Sequence, residues 1–142
     1  MGGKLIVVGT PIGNLSDFSP RAKEALASAD FIAAEDTRVT VKLLNKFGIK
    51  KPLVSYYEHN KYGRGDEITA RIESGETCAV VSDAGMPAVS DPGETLVAQC
   101  AEKGIGVSVV PGPCAAVSAL AVSGLPSGRF TFEGFLSVSK KS

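Results

Sequence analysis

The sequence predicts an α/β fold: an open, mostly parallel five-stranded sheet with helices on both faces. Three observations carry this expectation. Short β-branched runs alternate with stretches of helical apolar period. Each helical stretch ends near a glycine suited to a left-handed C-cap. The polar, Gly- and Pro-rich residues follow the strands rather than the helices, so they gather at the carboxyl ends, where ligands bind in such sheets. In order, residues 5–9 read as a buried strand that ends in Gly9. Ser19-Pro20 opens a helix, with Ser as N-cap and Pro at the first helical position. Ala22, Ala25, Leu26 and Ala29 give that helix one apolar face. A strand over 31–34, a helix over 37–47, a strand over 53–55 and a helix over 66–73 follow. Then come a strand over 77–82, a helix over 94–103, a strand over 107–110 and a helix over 115–122. Beyond Pro126 the pattern changes: residues 129–136, with Phe130, Phe132 and Phe135, read as a strand with no helix after it.

At 142 residues the chain has the length of one domain, long enough to bury a core without disulfides. The expected division is an α/β domain over 1–125, with 126–142 as a linker and the first strand of a second α/β domain cut short. Fifteen basic and fifteen acidic side chains balance, which excludes a strongly basic nucleic-acid binder and an acidic disordered tail. The three cysteines Cys78, Cys100 and Cys114 form no CxxC or Cys/His cluster, which argues against a metal site. Their odd number fits a reducing cytoplasm, the expected location. Cys78 and Cys100 sit among apolar neighbours and are expected in the core. The longest apolar stretch, 115–122, cannot span a bilayer, and the N-terminal run is too short for a signal peptide, so no membrane role is expected.

The loops after the strands are the functional candidates. Gly9-Thr10-Pro11-Ile12-Gly13-Asn14 lets backbone approach a ligand or serves as a tight β-to-α turn. It is neither GxGxxG nor a P-loop, which counts against an NAD-binding Rossmann-like domain. Glu35, at the end of the second strand, suits ribose hydroxyls or a solvated pair with Arg38. The loop 82–93 carries Ser82, Asp83, Gly85, Pro87, Ser90, Asp91, Pro92 and Gly93 and exceeds a minimal βα turn. Ordered loops of that length at a strand's carboxyl end are usually functional. Pro111-Gly112-Pro113 fixes the backbone before a helix whose N-terminus suits an anion, or acts as a linker. Between Arg38 and Arg64 seven cations face Glu58 alone, and the same stretch holds all three tyrosines and the single histidine. Cations interleaved with stacking side chains suit single-stranded nucleic acid, and equally a solvated face.

Taken together, these loops resemble one family. Gly9 to Leu15 (GTPIGNL), Ala34 to Arg38 (AEDTR), His59-Asn60, Ser82 to Gly93 (SDAGMPAVSDPG), Pro111-Gly112-Pro113, Ser123 to Pro126 (SGLP) and Phe132 to Leu136 (FEGFL) are similar to the motifs of the small-subunit ribosomal RNA methyltransferase I family, within the tetrapyrrole methylase superfamily. The resemblance spans nearly the whole chain. Two residues depart from it: Met86 stands where the family usually has Thr, and Cys114 where a smaller residue is common.

The resemblance implies S-adenosylmethionine as cofactor and transfer of its methyl group to the 2′-hydroxyl of a cytidine in 16S rRNA of the small ribosomal subunit. It also implies a homodimer and a cofactor cleft shared with a second domain, so the isolated chain is expected to have little or no activity. Gly9, Thr10, Pro11, Gly13, Ser82, Asp83, Ala84, Gly85, Met86, Pro87, Pro111, Gly112, Pro113, Cys114 and Ala115 would form the cofactor wall. Glu35 and Asp36 would activate or orient the ribose hydroxyl, with Arg38 holding a phosphate or those carboxylates. Lys42, His59, Asn60, Lys61 and Arg64 would contact RNA, with no metal required. The competing expectations are a precorrin-type tetrapyrrole methyltransferase and a non-catalytic fragment.

Overall fold

A computed structural model describes residues 2–138. Five parallel strands form one sheet: β1 (Lys4–Val8), β2 (Phe31–Ala34), β3 (Leu53–Ser55), β4 (Cys78–Val81) and β5 (Gly106–Val110), in the spatial order β3-β2-β4-β1-β5. Five helices alternate with them: α1 (Pro20–Ser28), α2 (Thr37–Lys46), α3 (Lys61–Glu73), α4 (Gly93–Glu102) and α5 (Ala115–Val122).

Alternation along each strand divides the core. Ile6, Val8, Ile32, Ala34, Ala79 and Val81 face one side and pack with Ala22, Leu26 and Leu44 of α1 and α2. Leu5, Val7, Phe31, Ala33, Cys78 and Val80 face the other and pack with Ile68, Ile72, Leu96 and Cys100 of α3 and α4. Burial pushes the Cys78 thiol up to about 12 and the Cys100 thiol up to about 11, so both stay protonated at neutral pH.

The handedness rule for parallel crossovers explains the division. The connections after β1 and β2 run toward β3, and those after β3 and β4 run back toward β5, so a common right-handed twist puts the two helix pairs on opposite faces. β4 therefore lies between two strands whose following helices leave on the other side. A crevice opens at its carboxyl end, the switch point where such sheets bind ligands.

Three sequence expectations are corrected. Residues 129–136 are irregular, not a strand: they pair with no described strand, and Gly134 turns the chain with φ 83°. The expected unit 126–142 also runs into 139–142, which lie outside the described residues. α3 begins at Lys61 rather than 66, because Gly63 and Gly65 are accommodated. A Cβ at Gly65 would strike the Gln99 side chain, so the glycine permits close α3–α4 approach. α1 ends without a glycine: Ala29 turns extended after the last helical residue, whereas Gly48, Gly75, Gly104 and Gly124 follow the other helices with positive φ. A short 3-10 turn, Leu15–Asp17, was not expected either.

Ser19 caps α1 as its sequence position predicts, accepting from the Ala22 N–H at 3.0 Å. No residue of α5 is buried. Among the described residues, no helix is long and apolar enough to cross a membrane.

Candidate active site

Strand ends bring the site together. Gly9, just past β1, and Gly112, just past β5, touch backbone to backbone: a Cβ on Gly9 would lie 2.6 Å from the Gly112 Cα. The Gly112 N–H donates to the Met86 thioether at 3.2 Å, which ties the loop after β5 to the loop after β4. Thr10, 1% exposed, bridges Gly85 by two backbone hydrogen bonds of 3.1 and 3.0 Å.

The loop between β4 and α4 is held in an uncommon conformation. Ala88 and Ser90 both have positive φ, 67° and 52°. L-residues pay about 1–3 kcal/mol each for sparsely populated backbone regions, so their surroundings must enforce them. Asp91 does so: one carboxylate oxygen accepts from the N–H groups of Ala88 and Gly93, both at 2.8 Å. Burial raises the Asp91 pKa, and the two N–H donors partly counter it. Tyr56, 2% exposed, supports the loop from beneath, its hydroxyl donating to the Pro92 carbonyl at 3.0 Å. Tyr56→Phe removes that donor, and the Pro92 carbonyl keeps only the Thr95 N–H at 3.1 Å. The expected loss is that of one net hydrogen bond, about 0.5–1.5 kcal/mol in urea unfolding, and an unchanged midpoint would contradict the role given to the hydroxyl.

Two cavities flank this loop. One, of about 480 Å³, is acidic: Glu35, Ser82, Asp83, Ser90, Asp91 and Pro92 line it. The other, of about 440 Å³, is mainly apolar: Ile12, Gly85, Cys114, Ala115, Phe130 and Phe132 line it. Ala84, Met86, Val89 and Phe135 belong to both, so they form a common wall. Gly134 approaches the loop: a Cβ there would lie 3.7 Å from the Ser90 hydroxyl.

The neighbouring carboxyls Glu35 and Asp36 are separated by their surroundings. Glu35 lines the acidic cavity, and its pKa is raised, first by burial, then by the charges of Asp83, Asp91 and Asp36. Asp36 lies outside that lining and caps α2, accepting from the Arg38 N–H at 3.0 Å. The Arg38 guanidinium grips Asp36 at 3.1 and 2.9 Å, which holds that carboxyl below its ordinary range. Asp83 is positioned by the Asp36 N–H, which donates to it at 3.2 Å. Desolvation together with a like charge is a pattern that active sites use to prepare a base.

The expected cofactor residues are dispersed along this edge. Ser82, Asp83, Ala84 and Met86 line the acidic cavity; Ala84, Gly85, Met86, Cys114 and Ala115 line the apolar one. Pro11 and Gly13 lie in a third depression, of about 360 Å³, with Lys42, Lys46 and Asp83. Pro87 is buried within the loop. Pro111 and Pro113 flank Gly112 without lining either cavity.

The expected RNA contacts divide. His59, Asn60 and Arg64 line a separate depression of about 350 Å³ that shares no residue with the acidic cavity. Lys61 pairs with Glu58 at 2.7 Å, and Arg64 with Glu67 at 3.0 Å. The Asn60 amide is spent on its own turn, donating to the Ser55 carbonyl and accepting from the Tyr57 N–H.

Sequence reasoning missed Tyr56 as a support, the hydrogen bonds by which Asp91 clasps the loop, and Phe135 in the shared wall. The unusual loop length was the available signal for Asp91; nothing local marked Phe135. Among the described residues, no group of three or more His, Cys, Asp or Glu side chains could hold a metal ion.

A parallel sheet with its crevice at β4, a clasped loop and paired cavities define an α/β ligand-binding domain, and sequence comparison identifies its family. The chain belongs to the tetrapyrrole (corrin/porphyrin) methylases, whose family model matches residues 4–141. It is similar to the ribosomal RNA small subunit methyltransferase I of Thermotoga maritima, 57% identical over 134 residues, which cover 94% of this chain and 60% of that protein. The protein of the same name from Escherichia coli O157:H7 is 50% identical over 139 residues, 98% of this chain and 49% of its own length. The chain thus spans about half the length of the curated relatives it matches. Among solved structures, uroporphyrin-III-C-methyltransferase from Thermus thermophilus aligns with TM-score 0.65 and 25% identity over 87% of this chain and 53% of that one. A conserved hypothetical protein from Aeropyrum pernix K1 aligns with TM-score 0.71 and 23% identity over 92% and 46%, a likeness of fold.

Proposed function

We propose that the chain carries the catalytic crevice of an S-adenosylmethionine-dependent methyltransferase that modifies the 2′-hydroxyl of a cytidine in 16S rRNA of the small ribosomal subunit. The observation that carries the proposal is Glu35: a carboxyl of raised pKa on the wall of an acidic cavity that shares Ala84, Met86, Val89 and Phe135 with an apolar one. The names and 50–57% identities of the relatives support the substrate. In this reading residues 1–125 form the catalytic unit, residues 126–142 lead out of it, and the protein works in the cytoplasm as a homodimer.

The residues present fit the cofactor. The apolar cavity gives its organic body a dry wall, and Gly85 in its lining allows close backbone approach. The carboxylates of Glu35, Asp83 and Asp91 oppose a cationic centre with negative charge. When bound, S-adenosylmethionine supplies an electrophilic methyl group on that cationic sulfur.

The chain's own part is to prepare the acceptor. Glu35 accepts the proton of the ribose hydroxyl as the oxygen attacks. Asp83, held by the Asp36 N–H, keeps negative charge beside Glu35 and raises its proton affinity. Arg38 holds Asp36 at the cap of α2 and so fixes the strand end from which Glu35 projects. The Asp91 clasp and Tyr56 keep the common wall in place, and much of the acceleration comes from this alignment.

Calorimetric titration with S-adenosylhomocysteine, with NAD as control, tests the cofactor assignment. Saturable binding of the homocysteine compound alone is expected. Binding of NAD alone would overturn it.

A further inference from the structure

Two lysines against one carboxylate, Asp83, line the depression between the β1–α1 loop and α2. Pro11 and Leu15 line one side, Val39 and Leu43 the other, with Lys42 and Lys46 on the same helix. Lys42 and Lys46 stand one turn apart, an arrangement that costs a helix a few tenths of a kcal/mol through like-charge repulsion. Among the described residues neither makes an ion pair, and α2 contains no acidic residue. The dipole at the end of α2 favours Lys46 but does not account for Lys42, a turn earlier. The basic loop that the sequence singles out is different: Lys61 and Arg64 are already engaged by Glu58 and Glu67.

The depression also connects with the catalytic crevice, because Asp83 lines both it and the acidic cavity. Cations beside an apolar floor suit a single strand, whose phosphates seek the charge while its bases lie against the floor. The acidic cavity has the opposite preference: Glu35, Asp83 and Asp91 repel phosphate but accept a hydroxyl donor. The two charged regions would therefore sort the parts of one nucleotide strand.

We infer that the Lys42–Lys46 depression is the track for the RNA backbone, holding phosphates beside the cavity so that only a ribose edge reaches Glu35. The inference rests on the methyltransferase reading above and adds to it the path of the strand. Lys46 becomes an RNA contact, and the path bypasses the paired Lys61 and Arg64.

The test is fluorescence anisotropy of a short labelled single-stranded RNA with this chain across a salt series. Lys42→Gln with Lys46→Gln is compared with Lys50→Gln with Lys51→Gln, an equal change of charge outside the depression. Two lost phosphate contacts predict that the slope of log affinity against log salt becomes shallower by about 1.4, at about 0.7 per contact. Affinity at moderate salt is expected to fall about ten-fold, and the Lys50/Lys51 variant to stay within about two-fold of the parent. An unchanged slope in the Lys42/Lys46 variant, an equal loss in the Lys50/Lys51 variant, or no RNA binding by the parent chain each overturns the track. S-adenosylhomocysteine titration of the same samples separates the two levels. Loss of RNA binding with S-adenosylhomocysteine binding intact confirms that the variant is folded. RNA binding on the lysines by a chain that ignores S-adenosylhomocysteine supports the track and counts against the cofactor site placed in this chain.

Discussion

Glu35→Gln is expected to lower methyl transfer to 30S subunits by about 10²- to 10⁴-fold, the usual contribution of a positioned base, measured in an active protein that carries this domain. Glutamine keeps the size of the side chain and removes its ability to take a proton, so S-adenosylhomocysteine affinity should stay within about two-fold. Asp36→Asn should cost less, because Asp36 is engaged by Arg38 and caps α2 rather than lining the cavity. A larger loss from Asp36→Asn than from Glu35→Gln would reverse the assignment.

The raised pKa of Glu35 has two consequences of definite sign. The base must be ionised, so the acid limb of the rate profile should lie above the ordinary glutamate value and vanish in the glutamine variant. Stability moves the other way. The folded chain binds this proton more tightly than the unfolded chain, so stability falls as pH rises from the unfolded pKa through the raised folded one. Near neutral pH both states are ionised and the whole penalty is present. Glu35→Gln should therefore be the more stable protein at neutral pH, by a margin that shrinks on acidification. Urea unfolding at two pH values measures it.

Gly9→Ala should be strongly damaging at the crevice. The new Cβ would lie 2.6 Å from the Gly112 Cα, 2.7 Å from its nitrogen and 2.8 Å from the Met86 sulfur. Two of these neighbours are backbone and cannot rotate away. Overpacking usually costs about 1–3 kcal/mol, and the upper end applies here. The corresponding fall in Tm is roughly 6–12 °C. The same displacement breaks the hydrogen bond from Gly112 to Met86, so binding of S-adenosylhomocysteine should weaken even where the variant folds. Gly13→Ala, next in the same loop, meets no atom within 4 Å but carries a φ of 136°, so its cost should come from backbone strain and spare the Gly112–Met86 contact.

Much of the fold was legible because its stops are written locally. The strands over 31–34 and 53–55 and the helix over 115–122 match residue for residue; Asp30 and Glu35 bracket the first, Pro52 precedes the second and Ser123 follows the helix. Ser19-Pro20 announces α1 by cap chemistry alone. The start of α3 was hidden because Gly63 and Gly65 argue against helix, and only the contact with Gln99 explains the second of them. Phe130 and Phe132 alternate like a strand, but alternation supplies no pairing partner.

The site divides in the same way. Loop composition located the crevice, and Glu35, Ser82, Asp83, Ala84 and Met86 do meet in one cavity. What sequence withheld was direction. Glu35 and Asp36 are adjacent and chemically alike, yet one lines a cavity and the other caps a helix. Lys61 and Arg64 read as free charge although Glu67 stands three residues along the helix from Arg64, the spacing at which helical side chains meet, and Glu58 lies in the turn just before Lys61. Tyr56 counted as a stacking side chain until its burial made it a prop for Pro92.

The reversal of connections at β4 also decides where this protein tolerates handling. All of the proposed chemistry lies at one rim of the sheet, and the glycine turns at Gly48, Gly75 and Gly104 lie at the other. Strands of four or five residues put about 15 Å between the two rims. A fluorophore, a surface tether or a short inserted peptide at Gly48 or Gly104 would sit behind the sheet, out of reach of strand and cofactor alike. The fold thus offers a rear face for attachment, from which binding at the front can be watched without obstruction.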